Sequence, residues 1–182
     1  MAGHVCPWWG GYFIDNRLRR LLHKPERILA PYVRQGMTVI DIGCGMGFFA
    51  IAMAQSTGDD GCVIAVDVQQ GMLDVLRKRA EKVDAAHRIR THRCERNSLG
   101  IEGPVDFALA FWSAHEVPDL EGLLRQVHAC LRPDGKFLVA EPRLHVSAKS
   151  FDQMIGAAEA VGMRLLEEPH VCLSRAAVLA KE

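Results

Sequence analysis

A chain of 182 residues, 49% of them hydrophobic, can bury one core without disulfide or metal staples and is too short to call for several domains. Lys plus Arg number 22 and so do Asp plus Glu, so no net field draws the molecule toward nucleic acid or an anionic membrane. No stretch reaches the roughly 18 apolar residues of a membrane span, the start shows no basic region followed by an apolar leader core, and the six scattered cysteines contain no Cys-x-x-Cys pair; this reads as a soluble protein of a reducing cytoplasm.

The opening segment, His4-Val5-Cys6-Pro7-Trp8-Trp9-Gly10-Gly11-Tyr12-Phe13, is aromatic and glycine-rich, and Pro7 with the glycine pair keeps it from being one regular element. From Asp15 a helical pattern sets in: Leu18, Leu21 and Leu22, a break near Pro25, then Ile28, Leu29 and Tyr32, with Gly36 as the stop. Val39, Ile40 and Ile42 form the apolar run of a buried parallel strand, interrupted by a single carboxylate, Asp41, whose charge needs a partner. Gly43, Gly45 and Gly47 follow, and Phe48, Phe49, Ile51, Ala52, Met53 and Ala54 continue as a helix packed on a sheet. A ligand at such a strand, turn and helix meets bare backbone, because glycine has no side chain and tolerates positive φ. A dinucleotide fingerprint would read Gly-x-Gly-x-x-Gly; here the third glycine arrives one residue early, Phe48 stands in its place, and Asp41 would repel a diphosphate. The pattern suits a ligand with a cationic amino group, and a glycine turn without any ligand is the plain structural alternative.

Asp41-Ile42-Gly43-Cys44-Gly45-Met46-Gly47 resembles the Asp/Glu-x-Gly-x-Gly-x-Gly signature of class I S-adenosylmethionine-dependent methyltransferases, and the resemblance covers nearly everything from Gly36 onward. It implies an α/β fold, a doubly wound Rossmann-like seven-stranded sheet with a final antiparallel strand. The cofactor it implies is S-adenosyl-L-methionine, with Asp41, Gly43, Cys44, Gly45 and Gly47 around the methionine part, and the partner it implies is a small-molecule methyl acceptor. Residues 1–36 would then cover the site and shape the acceptor pocket, and residues 37–182 would form the methyltransferase domain, within a single domain overall.

The second strand, Cys62 to Val66, ends at Asp67, 24 residues beyond Gly43 (67 − 43). From a neighbouring strand end, that carboxylate can accept both hydroxyls of an adenosine ribose; it can equally cap the helix starting near Gln70, and the two roles are compatible. Val68 would lie against the adenine. Met72, Leu73, Val75, Leu76 and Ala80 give a helix whose Arg77, Lys78, Arg79 and Lys82 form a solvated face. Arg88 to Cys94 alternates weakly as a third strand, and the resemblance places Cys94 and Glu95 at the adenine ring. Val105 to Trp112 is a strongly apolar fourth strand, and by the same resemblance its end, Phe111 to Asp119, faces the transferable methyl group, with Phe111 flanking the methionine end. The family's Asn/Asp-Pro-Pro-Tyr/Phe motif for planar nitrogen acceptors is absent there, which argues against adenine and glutamine methylation. His115 is the catalytic candidate: an imidazole at that edge can take a proton from an acceptor, or it can brace the turn before the helix from Leu120, and both readings stand.

Leu120 to Leu131 is amphipathic, Arg132-Pro133-Asp134-Gly135 is a turn similar to the family's Leu-Lys-Pro-Gly-Gly segment, and Lys136 to Ala140 is the fifth strand. Helices are expected between the first five strands. His145, just beyond Glu141-Pro142, and His4 are further candidates for lining the acceptor pocket. Ser147 caps a helix over Ala148 to Ala160, and Met163 to Glu167 with Ala176 to Ala180 close the sheet as an antiparallel pair. His4-x-Cys6 brings two metal-capable side chains together, but without the pairing of a zinc motif no metal is expected; a free thiol near the cofactor could instead help bind a soft acceptor such as arsenite. The activity that follows is methyl transfer from S-adenosylmethionine to a small molecule. The alternatives are a non-catalytic S-adenosylmethionine-binding module, acting as a sensor or partner subunit, and an NAD-dependent oxidoreductase. No feature of the pattern sets an oligomeric state.

Overall fold

A computed structural model describes residues 22–182, so the aromatic opening segment with His4 and Cys6 lies outside the described residues. The apolar runs form one seven-stranded sheet in the order β3-β2-β1-β4-β5-β7-β6. β1 (Thr38–Ile42), β2 (Cys62–Asp67), β3 (Ile89–Arg93), β4 (Val105–Phe111) and β5 (Leu131–Pro142) are parallel to their neighbours among these five. β6 (Met163–Glu167) pairs antiparallel with β7 (Ser174–Lys181), and β7 pairs antiparallel with β5. The doubly wound fold with its closing antiparallel strand is therefore as the sequence indicates.

The helices α1 (Pro25–Leu29), α2 (Ala50–Thr57), α3 (Gln70–Glu81), α4 (Leu120–Cys130) and α5 (Ala148–Ala160) cover both faces of the sheet. Successive strand residues alternate between the two layers, as the pleat requires. Val39, Phe107 and Leu138 pack into the layer that holds Met53 of α2 and Leu73 and Leu76 of α3. Ile40, Ala108 and Val139 pack against Leu124 and Val127 of α4 and Phe151 and Ile155 of α5. Because both faces are buried, β1 and β4 read as near-continuous apolar runs, interrupted by Asp41 in β1 and Asp106 in β4.

Four expectations about element bounds change. α1 ends at Leu29 and does not run on to Gly36, because Pro31 lacks the N–H that would bond to Arg27; Tyr32 and Val33 turn back onto the Leu29 carbonyl instead. The connection over 94–104 carries no helix; its polar run from Glu95 to Ser98 has no apolar stripe to bury and closes on itself through a Glu95–Ser98 bridge. β5 begins at Leu131 and takes in the 132–135 turn: Val105 opposes Leu131 while Phe107 opposes Lys136, so the turn is an irregularity within the strand, with Asp134 at φ +61. Glu141 and Pro142 are the last residues of β5 and do not lie beyond it.

Ser147 caps α5, its Oγ accepting the Ser150 N–H at 3.1 Å. Ser147→Ala is expected to cost about 1 kcal/mol of stability. Urea denaturation should show the midpoint falling with an unchanged slope. Among the described residues no helix is long and apolar enough to cross a membrane, and the five cysteines are free thiols.

Candidate functional site

β1 has β2 on one side and β4 on the other, so the chain winds away from this point in both directions and a crevice opens outside the carboxyl ends of these strands. The crevice is a cavity bounded below by Asp41 and the turn from Gly43 to Met46, and on the β2 side by Asp67 and Val68. The loop from Cys94 to Leu99 closes a third side, and Phe111 to Ser113 with Glu116 to Asp119 close the fourth.

The Gly43 and Cys44 N–H groups donate to the Val66 carbonyl at 2.9 and 3.0 Å, which folds the turn back over β2. The three glycines have φ of +69, +53 and +88, so each sits where an L side chain is strained, but they serve different ends. At Gly43 a Cβ would stand 2.5 Å from Ser113 Cβ, because the exit of β4 passes directly over the turn. Ser113 Oγ donates to the Ile42 carbonyl at 2.7 Å and stitches the two strand ends together, a role with no signal in the sequence. At Gly45 a Cβ would meet nothing within 4 Å among the described residues and would project from the cavity wall. Gly47 is not among the lining residues; a Cβ there would lie 2.8 Å from Leu76 Cγ, so this glycine admits α3 to the turn.

Asp67 accepts the Gly45 N–H at 2.9 Å and the Gln69 N–H at 2.8 Å, and so fixes the turn to the end of β2. The N-cap of α3 is Gln69, so the carboxylate, two residues before it, binds the N–H of the N-cap residue and not one inside the helix. Burial raises its pKa, and the backbone N–H groups of Gln69 and Gly45 oppose that rise. Among the described lining residues five are acids (Asp41, Asp67, Glu95, Glu116, Asp119) and Arg96 is the cation, so the cavity favours a positive ligand over a pyrophosphate. Cys44 and Cys94 line it as thiols. Burial, with Asp41 and Asp67 nearby, pushes the Cys44 pKa far up, and burial followed by Asp67 pushes Cys94 up to about 11.

Phe48, Phe49, Phe111 and Trp112 give the cavity an aromatic wall, with Phe49 and Phe111 centroids 4.4 Å apart. Trp112, at φ +61, donates its indole N–H to Ser174 Oγ at 2.9 Å. His23 is fully buried behind this wall, its ring edge-on to Phe111 and Trp112 and its Nε2 2.7 Å from the Cys172 carbonyl. The apolar spacing around Leu22 gave no hint of it.

A single 3-10 turn, Ala114–Glu116, divides the cavity from a second cleft. Ala114 is buried, Glu116 faces the cavity, and His115 lines the cleft together with His145, Val146 and Met154. Glu141, 0% exposed, holds this turn: one oxygen accepts the Ala114 N–H at 2.9 Å and the His115 N–H at 3.3 Å, and the other pairs with His115 Nδ1. That hydrogen bond raises the His115 pKa against the opposing effect of burial. The bracing role of His115 thus has a definite partner, and its ring lies 6.0 Å from that of His145.

The residues present fit S-adenosylmethionine. Gly45 leaves open space where a Cβ would intrude, and the acid-rich lining suits a sulfonium and an ammonium group. Asp41, Gly43, Cys44, Gly45, Asp67, Val68, Cys94, Glu95 and Phe111 are brought to one cavity, while Gly47 and His115 stand outside it. Among the described residues no group of three or more His, Cys, Asp or Glu side chains is arranged to hold a metal ion.

The chain matches a family model described as a methyltransferase domain over residues 33–171. It is 29% identical over 112 residues to a demethylmenaquinone methyltransferase of Shouchella clausii, covering 60% of this chain and 46% of that protein. It is 30% identical over 129 residues to the ubiquinone/menaquinone biosynthesis C-methyltransferase UbiE of Brucella anthropi, covering 69% of this chain and 49% of that protein. The chain therefore spans about half the length of the curated relatives it matches. In fold it is similar to the crystal structure of a SAM-dependent methyltransferase from Aquifex aeolicus, with a TM-score of 0.86, 22% identity, and coverage of 97% of this chain and 98% of that one.

Proposed function

The chain belongs to the methyltransferase domain family, and from that premise we propose that it transfers a methyl group from S-adenosylmethionine to a small aromatic acceptor. The observation that carries the reading is the single cavity that gathers Asp41, the glycine turn, Asp67 and the Cys94–Glu95 step at the switch point of the sheet. In this reading Asp41 and the backbone from Gly43 to Gly45 hold the amino acid end of the cofactor, Asp67 and Val68 the ribose and one adenine face, and Cys94 and Glu95 the adenine edge. The bound cofactor supplies a methyl carbon already activated by a sulfonium. What remains for the protein is to align the acceptor and exclude water.

The acceptor class rests on the aromatic wall of Phe48, Phe49, Phe111 and Trp112, which offers a stacking surface to a planar ring beside Ser113. The relatives are named for demethylmenaquinone and for ubiquinone and menaquinone biosynthesis, and a quinone-like ring suits such a wall. Burial keeps the Cys44 and Cys94 thiols protonated, which disfavours capture of a soft acceptor by thiolates from these two positions. An acceptor that loses its proton at the cavity meets Glu116 there; His115 serves as the base for one that reaches the second cleft.

Calorimetric titration with S-adenosylmethionine and with NAD, followed by assays of a phenol, quinol and thiol panel for S-adenosylhomocysteine, tests the proposal. Saturable binding of the first ligand and turnover of an aromatic acceptor are expected. NAD binding in its place would overturn the reading, and cofactor binding without turnover of any acceptor would favour a binding module. Asp67→Asn is expected to weaken S-adenosylmethionine binding about tenfold, since a charged acceptor of hydrogen bonds becomes a neutral one. The dissociation constant should show this change.

A further inference from the structure

We infer that Glu116 sets the preference of the cavity for the cationic methyl donor over its neutral product, S-adenosylhomocysteine, an inference that rests on the cofactor reading above. Donor and product differ by one methyl group and by the positive charge on sulfur. A site that binds both alike is inhibited by its own product, so a fixed negative charge within reach of the sulfur favours the donor.

Among the described residues the other four acids of the cavity are committed elsewhere or lie at its rim, and Asp41, buried at the end of β1, is the one assigned above to the amino acid end of the cofactor. Asp67 accepts two backbone N–H groups, Asp119 caps α4 by accepting the Gly122 N–H at 2.8 Å, and Glu95 is exposed on the outer loop. The Glu116 carboxylate is half-buried and has no hydrogen bond or ion pair among the described residues. Leaving a charge in that state costs stability unless a ligand supplies the counter-charge.

Glu116 is held in place from behind. Glu141, at the end of β5, clamps the Ala114 and His115 N–H groups and the His115 ring, and the next residue, Glu116, lines the cavity. The charged and titratable groups around the Glu116 carboxylate are Asp67 at the end of β2, Glu141 at the end of β5, His145 on the loop beyond it, and His115 on its own turn. Burial raises its pKa most, His115 and His145 lower it, and Asp67 and Glu141 raise it further. The carboxylate therefore titrates above its ordinary value in the free protein, and a bound cation draws it toward the ionised form.

The test is calorimetric titration of wild type, Glu116→Gln and Glu116→Asp with S-adenosylmethionine, with S-adenosylhomocysteine, and with an analogue that carries a protonated amine in place of the sulfonium. Wild type is expected to prefer both cations to the neutral product. Glu116→Gln should reduce that preference roughly three- to tenfold, by weakening the cations and leaving the product within about twofold. Glu116→Asp should recover part of it. The wild-type preference should grow as pH rises through the carboxylate's titration, and the glutamine variant should lose that slope. The unliganded Glu116→Gln protein should melt no lower than wild type, which separates a charge effect from a folding defect. A wild type that binds the donor and a glutamine variant with an unchanged preference would overturn this inference alone. A wild type that fails to bind the donor overturns the cofactor reading, and this inference with it.

Discussion

Gly43→Ala is expected to abolish measurable S-adenosylmethionine binding and to lower the unfolding free energy by about 3 kcal/mol. At φ +69 an alanine is strained by about 1 kcal/mol before any contact is considered. The added Cβ would then meet Ser113 Cβ at 2.5 Å and its Oγ at 3.0 Å. That neighbour is not the loose end of a long chain: its hydroxyl is tied to the Ile42 carbonyl and its backbone carries β4 out of the sheet. Either the turn or the strand exit must move, and both are walls of the cavity. Gly45→Ala separates the two effects, because its Cβ meets no atom of the described residues within 4 Å. It should cost only the left-handed strain of about 1 kcal/mol and still weaken the cofactor tenfold or more, roughly, by filling space that bare backbone leaves open. Urea denaturation and calorimetry on the two variants check this. Wild-type affinity in Gly43→Ala would remove the turn from the cofactor site.

The same turn shows which features a single sequence makes legible. An apolar run interrupted by one acid and followed by three spaced glycines identifies β1, its turn and α2, because those residue types have few other uses in that order. Asp67 follows from it, since parallel strands bring their carboxyl ends to one edge, while Cys94 and Glu95 follow from the family resemblance. The role of Gly47 did not follow. Its neighbour is Leu76 of α3, beyond α2 and β2, and spacing alone cannot say whether a glycine yields to a ligand or to a helix. His115 and Glu116 are the sharper case. They are adjacent, yet they face different spaces, and the choice is made by Glu141, which lies 26 positions beyond His115 (141 − 115). In the sequence His115 stood without a partner, so its two readings had equal footing. Pro31 was visible, and its missing N–H would have shortened α1, but the helical spacing of Ile28, Leu29 and Tyr32 masked the break.

Removing the Glu141 side chain should be the more damaging change to the second half of the site. Glu141→Ala is expected to cost about 3 kcal/mol near neutral pH, because the Ala114 and His115 N–H groups and the His115 ring lose their acceptor at a fully buried position. Glu141→Gln keeps one oxygen for the two N–H groups, removes the charge beside His115 and replaces the oxygen that faces Nδ1 with an amide donor, so it should cost less and change how stability depends on pH. The His115 pKa is raised in the folded protein above its unfolded value of about 6.5. Between those two values the native state holds a proton that the unfolded chain has released, so the contribution of the pair is complete below the unfolded value and is lost as pH climbs through the folded one. The stability difference between wild type and Glu141→Gln should therefore be largest on the acid side of about 6.5 and shrink as the solution becomes alkaline. Urea denaturation across that range, with the His115 ring followed by NMR, measures both quantities. A difference that stays flat with pH would mean that the pair braces the turn as a neutral hydrogen bond, and His115 would then hold no extra proton at the mouth of the second cleft.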